Sequence, residues 1–396
     1  MTLPTIAAMS HHVVRPKPRT YSGWALDRAI ELDCSCPGLL ASSLFFGAAR
    51  RQAMFLVLAH FDVIGRDEIA RRLRHVIDRT DIRGVSDLSV IARSVVLLRR
   101  PRDLVRAMFG AVPDGLLGAL KRFGDDPLSK SDSYHALYRL FSSADPQDRL
   151  RAKVLGQIAG GLVGAQIEVV QRLDPVLLHP AFVAKVYEVK QVDDLNHALA
   201  YVRERCSRAT DDAIRESLSR LGPDGHRSTV FRRWAQKFDV LPRPLDTRGD
   251  STLRMLDTGK ALVDAGRRYT NCLAKKVEDV FLGRYLYVEY QPPLPEPGLI
   301  GELRVTTRGY VLEGLYAAKN RRVAPERARA VRAKLAACGV ALYDHAPGDR
   351  KRVLGAAKVL DVYNFEEPDN TGWGAEFDDI APEAVTELER AFHEAA

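Results

Sequence analysis

Apolar positions along the first two hundred residues recur at intervals of three and four. Leu56, Ala59, Phe61 and Val63 form one such set, and Leu97, Leu98, Leu104, Val105 and Met108 form another. That spacing stacks side chains on one helix face and predicts roughly six to nine packed helices from about Ala25 to Arg220. Alternation of the kind a strand needs is scarce there. Proline marks several starts: Pro101 after Arg99-Arg100, Pro146 after Asp145 and Pro175 after Asp174, because proline fits the first turn of a helix and fits badly later. No segment repeats at a fixed period, so a solenoid has no support.

The pattern changes after Gly222-Pro223-Asp224-Gly225, a strong turn. A helix is expected from about Ser228 to Asp239, stopped by Leu241-Pro242-Arg243-Pro244. Asp257 can cap a helix that ends near Gly266, and another helix is expected from about Asn271 to Leu282. Three runs rich in Tyr, Val and Leu follow as strand candidates: Arg284–Tyr290, Leu299–Thr306 and Tyr310–Ala317. Arg308-Gly309 separates the last two as a hairpin turn would. Pro325 opens a helix to about Cys338. The order helix, helix, three-stranded antiparallel meander, helix predicts an α+β unit with helices on one face of the sheet. Four segments result: a basic arm over residues 1–20, an all-helical domain over 21–222, a smaller α+β domain over 226–345 and an acidic tail over 346–396.

Composition changes this picture in two respects. The chain has 396 residues, 46% hydrophobic and 28% charged, which is ordinary for a folded soluble protein with two domains. Its apolar runs, such as Ala53 to Ala59, are far too short to span a bilayer, and the first residues lack a secretory-signal arrangement. Five cysteines, an odd number in a long chain, argue against a disulfide framework and for a reducing cytoplasm. The formal net charge is +8, but it is unevenly spread. From Glu366 onward there are ten acidic residues and one basic one, so about −9 falls there and about +17 on the rest. A body so basic can attract a polyanion, although an arginine-rich chain with solvated faces has the same count.

Several residues could carry chemistry. Cys272 follows Asn271 at an expected helix start, where unpaired N–H groups favour a thiolate; the plainer reading is a small residue packing that helix on the sheet. Glu289, Glu302 and Glu313 lie one on each strand candidate, with Arg304 two residues from Glu302. If their faces coincide, carboxylates and arginine converge; otherwise they form cross-strand ion pairs on a wet face. Strand alternation leaves the face of Glu313 ambiguous. Lys319, Asn320, Arg321 and Arg322 follow the last strand, and an amide beside guanidiniums suits phosphate and base-edge contacts. Arg232 and Arg233 flank Trp234, a pattern that serves single-stranded nucleic acid or merely decorates a core tryptophan. Arg71-Arg72-Arg74 and Arg99-Arg100-Arg102-Arg106 allow the same two readings. Cys34-Ser35-Cys36 has no second pair, and His60, His75 and His135 read as structural, so no metal is assigned. No phosphate-binding loop, dinucleotide fingerprint or G-x-S-x-G elbow occurs, which disfavours ATPase, dehydrogenase and serine hydrolase classes and assigns no cofactor.

The stretch from Leu241 to Pro325 resembles the PcfJ-like domain of conjugative-plasmid and phage-related proteins. The shared features are Leu241-Pro242-Arg243-Pro244, Asn271-Cys272, Gly283, Glu302, Gly314 and Asn320. The chain departs from the pattern in having Ala265-Gly266 where many members have Glu-Gly, and Asn271 where many have His. The family has no settled activity, so the resemblance implies a mobile-element context more than a reaction. Together these features predict a cytoplasmic, non-catalytic nucleic-acid-binding accessory protein, with Asn320, Arg321, Arg322, Arg304, Arg232 and Arg233 as the binding residues and a possible protein partner on the helical domain. The alternatives are a hydrolase or transferase on nucleic acid or nucleotide, using Cys272, Glu302 and Asn320, and a toxin or defence component.

Overall fold

A computed structural model describes residues 17–77, 85–222, 225–342 and 359. The expected basic arm over 1–20 and the acidic tail lie largely outside these residues. The chain divides into two compact units. The first takes residues up to His197 together with Ile214–Arg227, and the second takes Ala198–Ala213 and the chain from Ser228 onward.

Between Trp24 and Ser219 the described residues form fourteen α-helices, more than the six to nine the spacing predicts. Many are four to nine residues long, so one apolar stretch is often cut in two. Gly65, at φ +81, separates Phe61–Ile64 from Arg66–Leu73 in this way. The start signals hold where they are local. Pro101 and Pro146 occupy first-turn positions, and the Asp145 carboxylate accepts from Gln147 N (2.8 Å) and Asp148 N (3.0 Å).

Helix α1 (Ala48–Ala59) lies at the centre of the first unit, with Arg51 through Ala59 buried without interruption. A helix buried on all sides must bury whatever polar residues it carries, and here these are Arg51 and Gln52. The Arg51 guanidinium donates to the carbonyls of Arg19 (2.7 Å), Leu44 (3.0 Å), Ser43 (3.2 Å) and Asp125 (3.3 Å). Gln52 Nε2 donates to Gly124 O (3.0 Å) and Asp126 O (2.6 Å), and its Oε1 accepts from the Tyr134 hydroxyl (2.6 Å). Carbonyls from three stretches, Arg19, Ser43–Leu44 and Gly124–Asp126, thus accept from one helix.

His60, at the end of α1, is 6% exposed. Its Nδ1 donates to Leu56 O (2.7 Å), and its ring stands 4.1 Å from that of His135, whose Nε2 donates to Ala59 O (2.6 Å). Both histidines are structural, as expected from their helical setting. Burial, with smaller repulsion from His135 and Arg72, pushes the His60 pKa down to about 4. Unfolding releases it to the ordinary value near 6.5. The unfolded chain therefore binds more protons between those values, so stability is intact above about pH 6.5 and falls as the pH drops towards 4. Denaturant titrations should show this site costing about 2 kcal/mol at pH 5 relative to pH 7. His60→Gln should remove that part of the slope; an unchanged slope would refute the assignment. His179, also depressed by burial, adds loss of the same sign.

The second unit holds an antiparallel meander of four strands, one more than predicted: β1 (Leu253–Met255), β2 (Tyr285–Tyr290), β3 (Leu299–Thr306) and β4 (Gly309–Tyr316), in that spatial order. The three expected strands are present to within a residue or two. β1 is three residues long and has no pattern of its own. It exists because Arg254 pairs with Glu289 across the edge of β2, and because Asp250 just before it accepts from Lys334 (2.7 Å) and Thr252. Those bonds hold the Asp250 pKa down to about 2.

Helices pack on both faces of the sheet, not on one. On the first face Leu286, Val288, Leu299, Leu303, Leu312 and Leu315 join Ala328, Val331 and Leu335 of a C-terminal helix (Pro325–Ala337) in one apolar core. On the other face lie α2 (Gly259–Tyr269), a 3-10 turn (Cys272–Lys276) and α3 (Val277–Phe281). The first runs past its expected end at Gly266 to Tyr269, and the second, expected from Asn271 to Leu282, is divided into the 3-10 turn and α3. Thr258, not Asp257, caps α2 by accepting from Ala261 N (3.0 Å). The chain after the C-terminal helix covers the free edge of β4, where Leu312 N donates to Ala341 O (3.0 Å).

Candidate functional site

The polar face of the sheet carries three carboxylates, each with a tyrosine. Glu289 is buried, its side chain 2% exposed, and both oxygens accept from Arg268 Nη2 at 2.9 and 2.8 Å. Tyr269 also bonds to it, and burial followed by the Glu289 charge pushes that phenol above its usual range. Glu313 pairs with Arg304 Nε at 2.6 Å and bonds Tyr285. Glu302, between them, accepts from the Tyr287 hydroxyl on Oε1 (2.5 Å) and the Tyr316 hydroxyl on Oε2 (2.9 Å). It enters no ion pair among the described residues. Burial first, and the Glu302 charge second, raise both phenols well above the usual tyrosine range, so they remain donors at any working pH.

The backbone explains why Tyr316 reaches Glu302. Glu302 faces Tyr287 on one side and Gly314 on the other, while Leu303 faces Leu312. Glu313 is therefore the extra residue of a bulge on β4. A bulge of one residue reverses the alternation beyond it. Tyr310 and Leu312 face the apolar core before it, Leu315 after it, and Tyr316 is turned to the polar face. The Tyr316 ring lies across Gly314, where a Cβ would stand 2.6 Å from its Cζ. Gly314 is required by this close approach. Gly283 has a related role: at φ +73, a Cβ there would meet Pro242 Cγ at 2.9 Å, which ties the proline-rich segment to the start of β2.

Cys272 is exposed. It lies close enough to Tyr287 and Tyr316 for a thiolate to raise both phenols. Cys272 is thus within electrostatic reach of the two tyrosines that bond Glu302. Asn271 does not join them. Its side chain accepts from Leu273 N (3.2 Å) as the cap of the 3-10 turn, which is why an amide precedes the cysteine. Asn320 lies in a 3-10 turn (Ala318–Asn320) that follows β4 and packs against α2. Lys319 and Asn320 hold left-handed backbone, φ 59 and 55, and with Arg321 and Arg322 all four are exposed. None of the three cations in this run forms an ion pair among the described residues.

The other expected contacts are divided. Arg304 is held by Glu313, and Arg232 reaches Glu278 at 3.5 Å while remaining largely exposed. Arg233 is exposed, and Trp234 is a core residue, 4% exposed. Arg227 donates to Lys185 O and Gln191 Oε1, both at 3.0 Å. In the first unit, Arg71 and Arg72 are both held by Glu68, and Arg74 by Asp87. Sequence reasoning missed Tyr316, Arg268 and Tyr269. A glycine inside a strand two residues before Tyr316 was the available signal for the first.

Among the described residues no three His, Cys, Asp or Glu side chains gather as a metal-holding group, and no helix is long and apolar enough to cross a membrane. No family profile, curated protein sequence or solved structure matches the chain.

Proposed function

We propose that this chain binds nucleic acid through the second unit, as a non-catalytic accessory protein of the mobile-element type. One observation carries the reading: the exposed run Lys319, Asn320, Arg321, Arg322 has three cations and no carboxylate partner among the described residues. Arg71, Arg72 and Arg74 differ in that each would have to leave a carboxylate to meet a phosphate. Two successive left-handed residues at Lys319 and Asn320 turn the chain sharply and present neighbouring side chains together. The likeness of Leu241 to Pro325 to the PcfJ-like domain supports the plasmid or phage setting.

The test is an anisotropy titration of single-stranded DNA, RNA and duplex DNA over a salt series. Binding should weaken steeply with salt. The double variant Arg321→Ala/Arg322→Ala should flatten the log–log slope by roughly 1.4 on single strands, two phosphates' worth. Failure of every nucleic acid to bind at low salt removes the reading. Binding with an unaltered slope in the double variant moves the interface elsewhere.

A further inference from the structure

The carboxylate of Glu302 differs from its two neighbours on the same sheet face. Glu289 and Glu313 are each neutralised by an arginine, Arg268 and Arg304. Among the described residues Glu302 has only the Tyr287 and Tyr316 hydroxyls, one on each oxygen. A carboxylate offers about four lone-pair sites, so about one acceptor site per oxygen is left. The two phenols fix the plane of the group; Tyr287 is buried, and the half-buried Tyr316 ring is seated across Gly314. Glu302 is half-buried, and Cys272, within electrostatic reach of both phenols, is exposed, so part of the carboxylate meets solvent. Two acceptors held in a plane match a ligand edge carrying two parallel N–H donors.

Two common biological groups have that edge: the Watson–Crick edge of guanine, with N1–H and N2–H, and the guanidinium of arginine. The surroundings choose between them. Lys275 and Lys276 share the 3-10 turn with Cys272, and Lys319, Arg321 and Arg322 follow Tyr316 within six residues. Such a rim opposes a cationic peptide and favours a ligand whose backbone is anionic. Tyr285, half-buried on the same sheet face as Tyr287, adds an aromatic ring, and unpaired bases stack on such rings. We propose that Glu302, oriented by Tyr287 and Tyr316, reads the Watson–Crick edge of an unpaired guanine in a bound strand. This rests on the nucleic-acid reading above, with the phosphates held by Lys319, Arg321 and Arg322.

The experiment uses the full chain and single-stranded oligonucleotides of mixed pyrimidines bearing isolated guanines, which avoids guanine quadruplexes. Replacing each guanosine by inosine removes the N2 donor and should weaken binding about tenfold, given the discrimination a bidentate base contact supplies. Replacement by 7-deazaguanosine leaves that edge intact and should change nothing. Glu302→Gln should erase the guanosine-over-inosine preference while leaving the salt slope intact, since no phosphate contact is removed. A guanine-bearing strand should also shield Cys272 of the unaltered protein from alkylation, read by mass spectrometry against exposed Cys34, and the inosine strand should shield it less. That measurement stands if Glu302→Gln fails to fold. Salt-sensitive binding with neither base preference nor differential shielding overturns the inference and leaves the phosphate reading standing. Displacement of the strand by an uncharged-flank arginine peptide, with binding abolished in Glu302→Gln, overturns it in favour of a guanidinium ligand. Absence of any nucleic-acid binding overturns both.

Discussion

Arg51→Met is expected to destabilise the protein by about 3–5 kcal/mol, the scale of losing one partner from a buried charged network. Arg51 is fully buried, and its guanidinium serves four backbone carbonyls, those of Arg19, Ser43, Leu44 and Asp125. Burial works against the charge and lowers its pKa, so the arginine is itself costly to keep. Where a buried ion pair is replaced entirely by apolar side chains, relief of that cost often wins. Here it cannot, because the acceptors are backbone carbonyls that no substitution removes. Methionine fills much of the space, but it leaves the Arg19 and Asp125 carbonyls without donors, at about 1–3 kcal/mol each, while Leu44 O keeps Arg19 N (2.9 Å) and Ser43 O keeps Phe46 N (3.2 Å). Melting temperature should fall by roughly 10 °C, at about 2–4 °C per kcal/mol for a unit of this size. An Arg51→Met protein as stable as the original would show that water or another donor replaces the guanidinium.

Arg268→Ala should cost the second unit about 2–3 kcal/mol, at the lower end of the range for breaking a buried pair. The pair is lopsided: the Glu289 side chain is 2% exposed and that of Arg268 is 46% exposed. The arginine loses little on folding, but the carboxylate depends on it. Water entering the vacated position softens the loss, hence the smaller figure. The decisive comparison is the double variant Arg268→Ala/Glu289→Leu, which removes the stranded charge and should recover much of the stability. A double variant no more stable than Arg268→Ala alone, in denaturant melts at neutral pH, would mean that Glu289 is not what the arginine supports.

Much of the architecture was legible because its signals are local. Pro101, Pro146 and Asp145 act within one helical turn, and the structure puts them at helix starts. The runs that became β2, β3 and β4 announced themselves through dense Tyr, Val and Leu and through the Arg308-Gly309 signal, which lies one residue beyond the actual turn at Thr307-Arg308. Helix counts were not legible, since breaks such as Gly65 interrupt a stretch whose apolar spacing continues across them. β1 was invisible for the opposite reason: Leu253–Met255 is too short to have a period and is a strand only because β2 offers it an edge.

The site divides along the same line. Glu302 and Cys272 could be named from residue type and position, and the same two tyrosines, Tyr287 and Tyr316, bond the first and lie within electrostatic reach of the second. Asn271 could be named too, but its amide serves the backbone of its own turn. Tyr316 could not be found by alternation, because the bulge at Glu313 shifts every later side chain to the opposite face. The arginines look alike in the sequence. Only packing decides that Arg304 answers Glu313, that Arg268 answers Glu289 and that Arg321 and Arg322 pair with no carboxylate among the described residues.

The amino-acid order alone determined what depends on neighbours a few residues apart: a helical first half, three of the four strands after it, the proline and aspartate helix starts and the uneven charge. The tertiary structure alone decided which carboxylates are neutralised, which face Tyr316 occupies and which cations stay available. The reason is physical. Propensity and capping are set within a turn or two of chain, whereas hydrogen bonds and ion pairs between distant residues depend on register, and one inserted residue reverses which side chains meet.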